Sequence, residues 1–324
     1  MRIIFAGTPD VAVPALEYLS ARHDIAAVLT RAPAPRGRKR IMTPSPVHRW
    51  ADEHGIDVYT PSTLKDAAIL DTLRALNVDA AVVVAYGLLV PEKALEIPTH
   101  GWFNLHFSAL PHWRGAAPVQ YAIAAGEKNI STSVFKLTRG LDTGPIVDMR
   151  TYELGEAVTS GEALSFLAQR GGKQLHDVLD MLADGTATFT EQRGEPTFAP
   201  SLSTRDSRID WNLPAQTIAN RIRAYTPEPS AWTIFNGQRI KIEPIGVVAA
   251  EHENSSEPAK KLAPGEIYYH DRHVWVGTGS LPVILSGVTP AGKRTMEAAA
   301  WVRGIHKSSP HFESVHEYQE KIDE

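Results

Sequence analysis

The chain has 324 residues, a formal net charge of −4 and no cysteine. That length holds two domains or one large one, the apolar share of 43% is that of a globular chain in water, and disulfides, thiolate metal sites and cysteine nucleophiles are excluded. The slightly negative charge argues against attraction to nucleic acid over the whole surface, while leaving room for a local basic patch.

No apolar run approaches the roughly 20 residues of a membrane helix. The N-terminal segment lacks the apolar core and cleavage site of a signal peptide. The expectation is a cytoplasmic protein with no membrane partner. Residues 3–6 are an all-apolar strand ending at Gly7, residues 14–19 read as a helix, and 25–29 as a second buried strand. Strand, turn, helix, strand opens a doubly wound, Rossmann-like parallel sheet, so the fold class expected is α/β. The first turn has Gly7 but no G-x-G-x-x-G, so the nucleotide fingerprint is missing and an NAD site is not to be assumed. Residues 31–44 break the pattern: Pro and Gly exclude a helix, and Arg31, Arg36, Arg38, Lys39 and Arg40 concentrate positive charge. On those residues alone the loop is either solvated surface or an arm that grips phosphates.

Ser45 and Pro46 start a helix, as N-cap and first helical position. It ends near Gly55, and another helix spans 66–76. Residues 80–85 are so uniformly apolar that they predict a central strand covered on both faces, with Tyr86 and Gly87 at its carboxyl end. Then comes GWFNLHFSALPHWRGAAP, residues 101–118. Its aromatic and aliphatic residues favour a strand, alternation puts Asn104 and His106 on one face, and Pro111 and Gly115 force a loop. Polar groups at the carboxyl end of a strand are where open α/β sheets bind ligands.

A helix follows to Ala125, then a strand at 131–137 and a glycine-bracketed loop holding Asp142. A strand at 146–154 and a long helix at 160–182 complete the first domain. The domains expected are 1–189, a polar, turn-rich linker at 190–206, and 207–324. In the last, a short helix at 215–224 precedes a hairpin turning at Asn236-Gly237, a type I′ signal. Further strands near 265–269, 273–276 and 283–285 make a small all-β, OB-like barrel. Residues 251–261 are a polar insertion, and the tail after Ser308 reads as disordered. Asp210 and Trp211 read as bracing the domain junction, Tyr225 and Trp232 as core of the small domain. His48, His54 and the C-terminal histidines show no metal spacing.

Asn104, His106 and Asp142 are the constellation that could do chemistry. Formyl or acyl transfer to an amine passes through a tetrahedral centre bearing an oxyanion, which fixed donors stabilise. Asn104 supplies an amide donor, His106 a second donor or proton relay, and Asp142 orients the imidazole or takes the amine proton through a water. Against this stands the plainer reading: Asn-x-His recurs by chance, and an Asp in a glycine loop is commonly an Asx-turn residue.

FNLHFSALPHWRGAAPVQ resembles the signature of the folate-dependent formyltransferases, N-x-H-x-S-L-L-P followed by R-G-x-x-P, and the downstream GLDTG matches their Asp loop. The chain departs from the pattern at Ala109, where the family has Leu, and at Phe107, where Gly is more common. The resemblance implies catalytic roles for Asn104, His106 and Asp142. It implies 10-formyltetrahydrofolate as co-substrate, contacted by Ser108, Ala109, Leu110 and Pro111 with Tyr86 and Gly87 at the pocket edge, and no metal. RIIFAGTPD, RGRKRIMTPSPV and VVVAYGLLVP, with weaker similarity through SRIDWN, IRAYTPEPSAW and PAGKRTM, resemble the branch acting on methionyl initiator tRNA. That implies tRNA contacts from Arg36, Arg38, Lys39 and Arg40 and from the C-terminal domain; nothing in the sequence suggests an obligate interface, so a monomer is expected. Two other readings stand beside it: a formyltransferase for an amino-sugar nucleotide, which would lack the basic loop, and a non-catalytic RNA-binding protein.

Overall fold

Apolar strands alternating with helices build a seven-stranded sheet at the N-terminal side of the chain. The computed structural model describes residues 1–37, 39–245, 262–305 and 310–313. Strands β1 (Arg2–Gly7), β2 (Asp24–Leu29), β5 (Val58–Tyr59), β6 (Ala80–Val84), β7 (Trp102–His106), β9 (Asn129–Lys136) and β10 (Ile146–Glu153) lie in the order β10-β9-β7-β6-β1-β2-β5. The first five run parallel to one another, whereas β9 pairs antiparallel with β7 and β10 antiparallel with β9. Chain order leaves β1 toward β2 and β5, then returns on the other side with β6 and β7. The crevice that such a reversal opens at the strands' carboxyl ends is the binding position of this architecture.

β6 is central and buried along its whole length, as its composition predicts. Around the sheet lie α1 (Val13–Ser20), α2 (Pro46–Glu53), α3 (Ala67–Ala75), α4 (Glu92–Leu95) and the greater part of α6 (Ser160–Ala183), and α5 (Pro118–Ala125) comes between β7 and β9 in the chain. The Ser45 hydroxyl accepts the His48 backbone N–H at 3.0 Å, the cap its sequence announces. Within residues 31–44, β3 (Ala34–Arg36) pairs antiparallel with β4 (Ile41–Thr43).

The chain divides into two units. The first comprises Met1–Pro118, Asn129–Glu153 and Leu164–Pro200; the second comprises Val119–Lys128, Leu154–Ala163 and Ser201–Glu324. These boundaries differ from 1–189, 190–206 and 207–324 in two ways. Residues 190–200 are no linker: β11 (Phe198–Ala199) pairs in parallel with β8 (Arg114–Gly115), and Thr190 exchanges both backbone hydrogen bonds with Ile146 at 2.8 Å. Their backbone and the side chains of Gln192 and Thr197 satisfy backbone groups of the first unit, while Glu191, Arg193 and Glu195 stay exposed. The second unit also recruits two earlier segments, through bonds such as Arg223 Nη1 to the Val158 carbonyl (3.1 Å) and Ser160 Oγ to the Thr226 carbonyl (2.8 Å).

That second unit is β-rich but not all-β. It carries α7 (Ala215–Ala224), β12 (Trp232–Phe235), β13 (Gln238–Ile242), β14 (Ile267–His270), β15 (His273–Val276), β16 (Val283–Leu285), β17 (Gly287–Pro290), β18 (Met296–Glu297) and α8 (Ala298–Val302). Among the described residues its strands form two sheets, β12-β13-β17-β18 and β14-β15-β16. Asn236 and Gly237 have φ of 52° and 72°, the left-handed pair a type I′ turn requires. Trp211 belongs to this unit's core: it stacks on Phe312 with centroids 5.2 Å apart, and its Nε1 donates to Thr233 Oγ1 at 3.0 Å. Phe312 is 2% exposed, so the chain after Ser308 is anchored at that point by aromatic burial. The 251–261 insertion lies outside the described residues. Among the described residues, no helix is long and apolar enough to cross a membrane.

Candidate active site

Strand β7 sends Phe103 and Leu105 to one face of the sheet, where Gly171 of α6 sits against Leu105, and Asn104 and His106 to the other. Parallel pairing places Asn104 beside Val83 of β6, and antiparallel pairing places His106 beside Ser133 of β9. His106 is 5% exposed, its ring edge-on to Phe135 at 6.4 Å. Its Nε2 lies 2.9 Å from the Trp113 carbonyl oxygen. A carbonyl only accepts, so in the neutral ring Nε2 carries the proton and Nδ1 presents a lone pair. That Nδ1 faces Asp142 Oδ2 at 4.0 Å. Burial pushes the imidazole pKa down, and the Asp142 carboxylate and the Trp113 bond pull it only part of the way back.

Asp142 is 9% exposed and sits in the left-handed region, with φ of 50°. Its Oδ2 accepts the Gly115 backbone N–H at 2.8 Å. Glycine is required at both flanks of this contact. Gly115 has φ of 124°, and a Cβ there would lie 2.6 Å from the Ala199 carbonyl oxygen; a Cβ on Gly144 would lie 1.7 Å from that of Lys136. The fold therefore brings His106 and Asp142 together from segments separated in the chain by α5 and β9, beside the half-buried Asn104 on the same strand face.

The other predicted residues fall into place differently. Ser108 uses its hydroxyl internally, donating to the His112 carbonyl at 2.6 Å, while Ser133 Oγ donates to the Ser108 carbonyl at 2.7 Å. Ser108, Leu110 and Pro111 are buried and Ala109 is half-buried, so the turn is braced from within. Tyr86 is 1% exposed and packs in the apolar cluster with Ile4, Leu64 and Trp102; its ring is core, and burial pushes its phenol up to about 12. What Tyr86 and Gly87 offer the crevice edge is backbone: the Tyr86 carbonyl takes Thr8 Oγ1 at 2.8 Å and that of Gly87 takes Arg31 Nη1 at 3.2 Å. Arg36, Lys39 and Arg40 are exposed on the β3–β4 hairpin beside the exposed Ile41 and Met42. Arg38 lies outside the described residues.

Two contributors escape sequence reasoning because they lie in the stretch whose polarity predicts a linker. Thr197 Oγ1 accepts the Trp113 N–H at 2.8 Å and so holds the residue whose carbonyl binds His106. Gln192 donates to the carbonyls of Asp142 and Gly144 at 2.8 and 2.9 Å. A separate cluster also arises only on folding. His23, His176 and Asp180 bring one potential metal-ligating atom each within 4.8 Å of one another. His23 Nε2 and His176 Nδ1 are hydrogen-bonded at 2.9 Å, and His176 Nε2 lies 3.4 Å from Asp180 Oδ2 as a potential ion pair. Burial, then the Met1 ammonium, push His23 down to about 4.

An imidazole with a free lone pair, a fixed carboxylate and an amide donor at the carboxyl edge of a parallel sheet suit group transfer to an amine. Residues 1–179 match the formyl transferase family and residues 201–306 its C-terminal domain. The methionyl-tRNA formyltransferase of Salinispora tropica is 48% identical over 307 residues, covering 94% of this chain and 97% of that one. The chain belongs to the methionyl-tRNA formyltransferase family. Solved structures similar to this formyltransferase include the sugar 3N-formyl transferase WlaRD with dTDP and 5-N-formyl-THF (TM-score 0.65, 16% identity, 91% of this chain and 99% of that one). HypX of Aquifex aeolicus in complex with tetrahydrofolic acid is another (TM-score 0.61, 16% identity, 94% and 47%). At such identity these two speak for the formyltransferase fold alone.

Proposed function

We propose that this chain moves a formyl group from 10-formyltetrahydrofolate to the free α-amine of methionyl initiator tRNA, acting as a cytoplasmic monomer. The observation that carries the chemistry is the meeting of His106 Nδ1 and Asp142 at 4.0 Å beside Asn104. The near full-length likeness to methionyl-tRNA formyltransferases selects the acceptor. The donor supplies a formyl carbon already activated by its N10 nitrogen. The amine nitrogen attacks that carbon, and the carbonyl electron pair moves to oxygen, where the Asn104 amide donates. His106 Nδ1, its charged form stabilised by Asp142, accepts the amine proton directly or through a water. Collapse breaks the bond to N10, and the proton passes there.

Residues 108–111 and the backbone at Tyr86 and Gly87 line the folate side. The folates bound by HypX and WlaRD support that class of donor. The exposed cations Arg36, Lys39 and Arg40, with Arg38 beside them in sequence, take phosphates of the tRNA acceptor arm. The two sheets of the second unit are the halves of an OB-like barrel that holds the tRNA backbone. Purified protein given labelled donor and either methionyl initiator tRNA or an amino-sugar nucleotide tests the proposal. Label on the tRNA alone is expected, and label on the sugar alone would refute the acceptor. Alanine at Arg36, Lys39 and Arg40 should weaken tRNA binding and reduce the salt slope by about 0.7–0.9 for each phosphate no longer neutralised; an unchanged slope would return the hairpin to plain surface.

A further inference from the structure

We propose that Gln192 is a positioning residue for formyl transfer: it clamps the backbone of the Asp142 loop so that the carboxylate stays against His106. The proposal rests on the roles given above to Asp142 and His106. A carboxylate on a loop between two strands can swing, and Asp142 is the more exacting because its backbone sits at φ 50°. Its carbonyl, and that of Gly144 two residues on, both point at one group. The Gln192 amide nitrogen directs its two N–H bonds to them, at 2.8 and 2.9 Å. Its Oε1 in turn accepts Arg114 Nη2 at 2.6 Å.

The orientation of this amide is forced. Turned over, it would set oxygen against two carbonyls and N–H groups against a guanidinium. Arg114 is bonded in sequence to Gly115, whose N–H holds Asp142 Oδ2. The contacts thus close a ring, from carboxylate to Gly115, Arg114, Gln192 and back to the backbone of Asp142 itself. Gln192 is held by a backbone tied on both sides, through Thr190 to Ile146 and through Thr197 to Trp113. The same strap therefore places both partners of His106: Trp113 through Thr197, and Asp142 through Gln192.

The test uses the full-length protein with Q192A, Q192E, D142N and the Q192A/D142N double variant, each checked for cooperative melting. Q192A should lower kcat about 10²-fold, the scale of a misplacement of roughly 1 Å, with little change in KM for donor or acceptor. Q192E, which keeps the Arg114 contact but turns an oxygen toward the two carbonyls, should be impaired to a similar extent. By NMR, the His106 ring in Q192A should titrate at lower pH than in the wild type, since a displaced Asp142 no longer favours the charged ring. Adding Q192A to D142N should slow it little further, because both changes remove one device.

Near-normal kcat in Q192A, an unmoved His106 titration, or full additivity with D142N would overturn the proposal. If Q192A does not fold, Q192E is read by the same criteria. Failure of both to fold would make Gln192 a residue of stability, not of positioning. A D142N enzyme with undiminished kcat would instead refute the role of Asp142, whatever Gln192 does.

Discussion

Strand β7 and the strap at residues 190–200 serve the same few ångströms of the molecule by opposite means. β7 is paired on both edges, by β6 and by β9, and presents the two proposed reagents, an amide and an imidazole, on one face of the ladder. The strap has little ladder and much exposure, with Glu191, Arg193, Gly194, Glu195 and Pro196 all at the surface. It contributes ties, through Gln192 to the Asp142 loop, Thr197 to Trp113 and the Ala199 carbonyl to Ala116 and Ala117 at 2.8 and 3.0 Å. The contrast teaches a division of labour. In the proposed mechanism Asn104 and His106 sit on a strand paired along both edges, while Asp142 and Trp113 are held by contacts from a segment that a change of a few bonds would release.

The largest effect should come from the reagents. Asn104→Ala, His106→Ala and Asp142→Ala should each lower formyl transfer by about 10²- to 10⁴-fold in kcat while tRNA affinity survives, as single-turnover and binding assays would show. Any one variant near wild-type turnover leaves the mechanism without that residue, and the distinction between reagents and ties fails for it. Next is Gly144→Ala. With a Cβ 1.7 Å from the Lys136 carbonyl oxygen, the loop must move, costing on the order of 1–3 kcal/mol of stability and most of the activity. A fully active Gly144→Ala enzyme would show that the Asp142 loop tolerates displacement.

Thr197→Val is the mildest break in the strap. It removes one acceptor from the Trp113 N–H, worth about 1 kcal/mol in denaturant melts, and should slow turnover only several-fold. A loss as large as that of His106→Ala would move Thr197 from tie to reagent. The pH profile sharpens the comparison with no mutation. Burial holds His106 below the ordinary histidine value of about 6.5, so the neutral, proton-accepting ring persists as pH falls past that value. The acid limb of kcat/KM, which reports the free enzyme, should therefore lie below that pH, and a limb above it would count against the ring as acceptor.

Stability carries the same sign at a place away from these two segments. His23 is pushed down to about 4, so below about 6.5 the unfolded chain takes a proton that the folded chain refuses. Stability is then whole above that pH and declines as pH falls toward 4. His23→Gln should flatten this slope in urea melts, and an unchanged slope would show that other groups set it.

Much of this molecule is legible residue by residue. The all-apolar run at 80–84 can only be a strand buried on both faces, Ser45-Pro46 caps a helix through its own hydroxyl, and Asn236-Gly237 turns a hairpin by its left-handed backbone. Asn104 and His106 share a face because alternation is a property of any strand. These are local consequences of sterics and patterning, available before the chain meets itself. What residues 190–200 do is not local. A polar, proline- and glycine-bearing stretch has the same composition whether it dangles in water or satisfies another segment's carbonyls, so Gln192 and Thr197 look like linker until Asp142 and Trp113 stand opposite them. The 4.0 Å approach of His106 to Asp142, the core position of the Tyr86 ring and the grouping of His23 with His176 likewise arise between distant segments. By itself the sequence determined the buried strands at 80–84 and 102–106 and the face that Asn104 and His106 share; tertiary packing alone paired residues 198–199 with 114–115 and decided which side chains meet, because only closure of the chain puts a carbonyl, a carboxylate and an imidazole in one place.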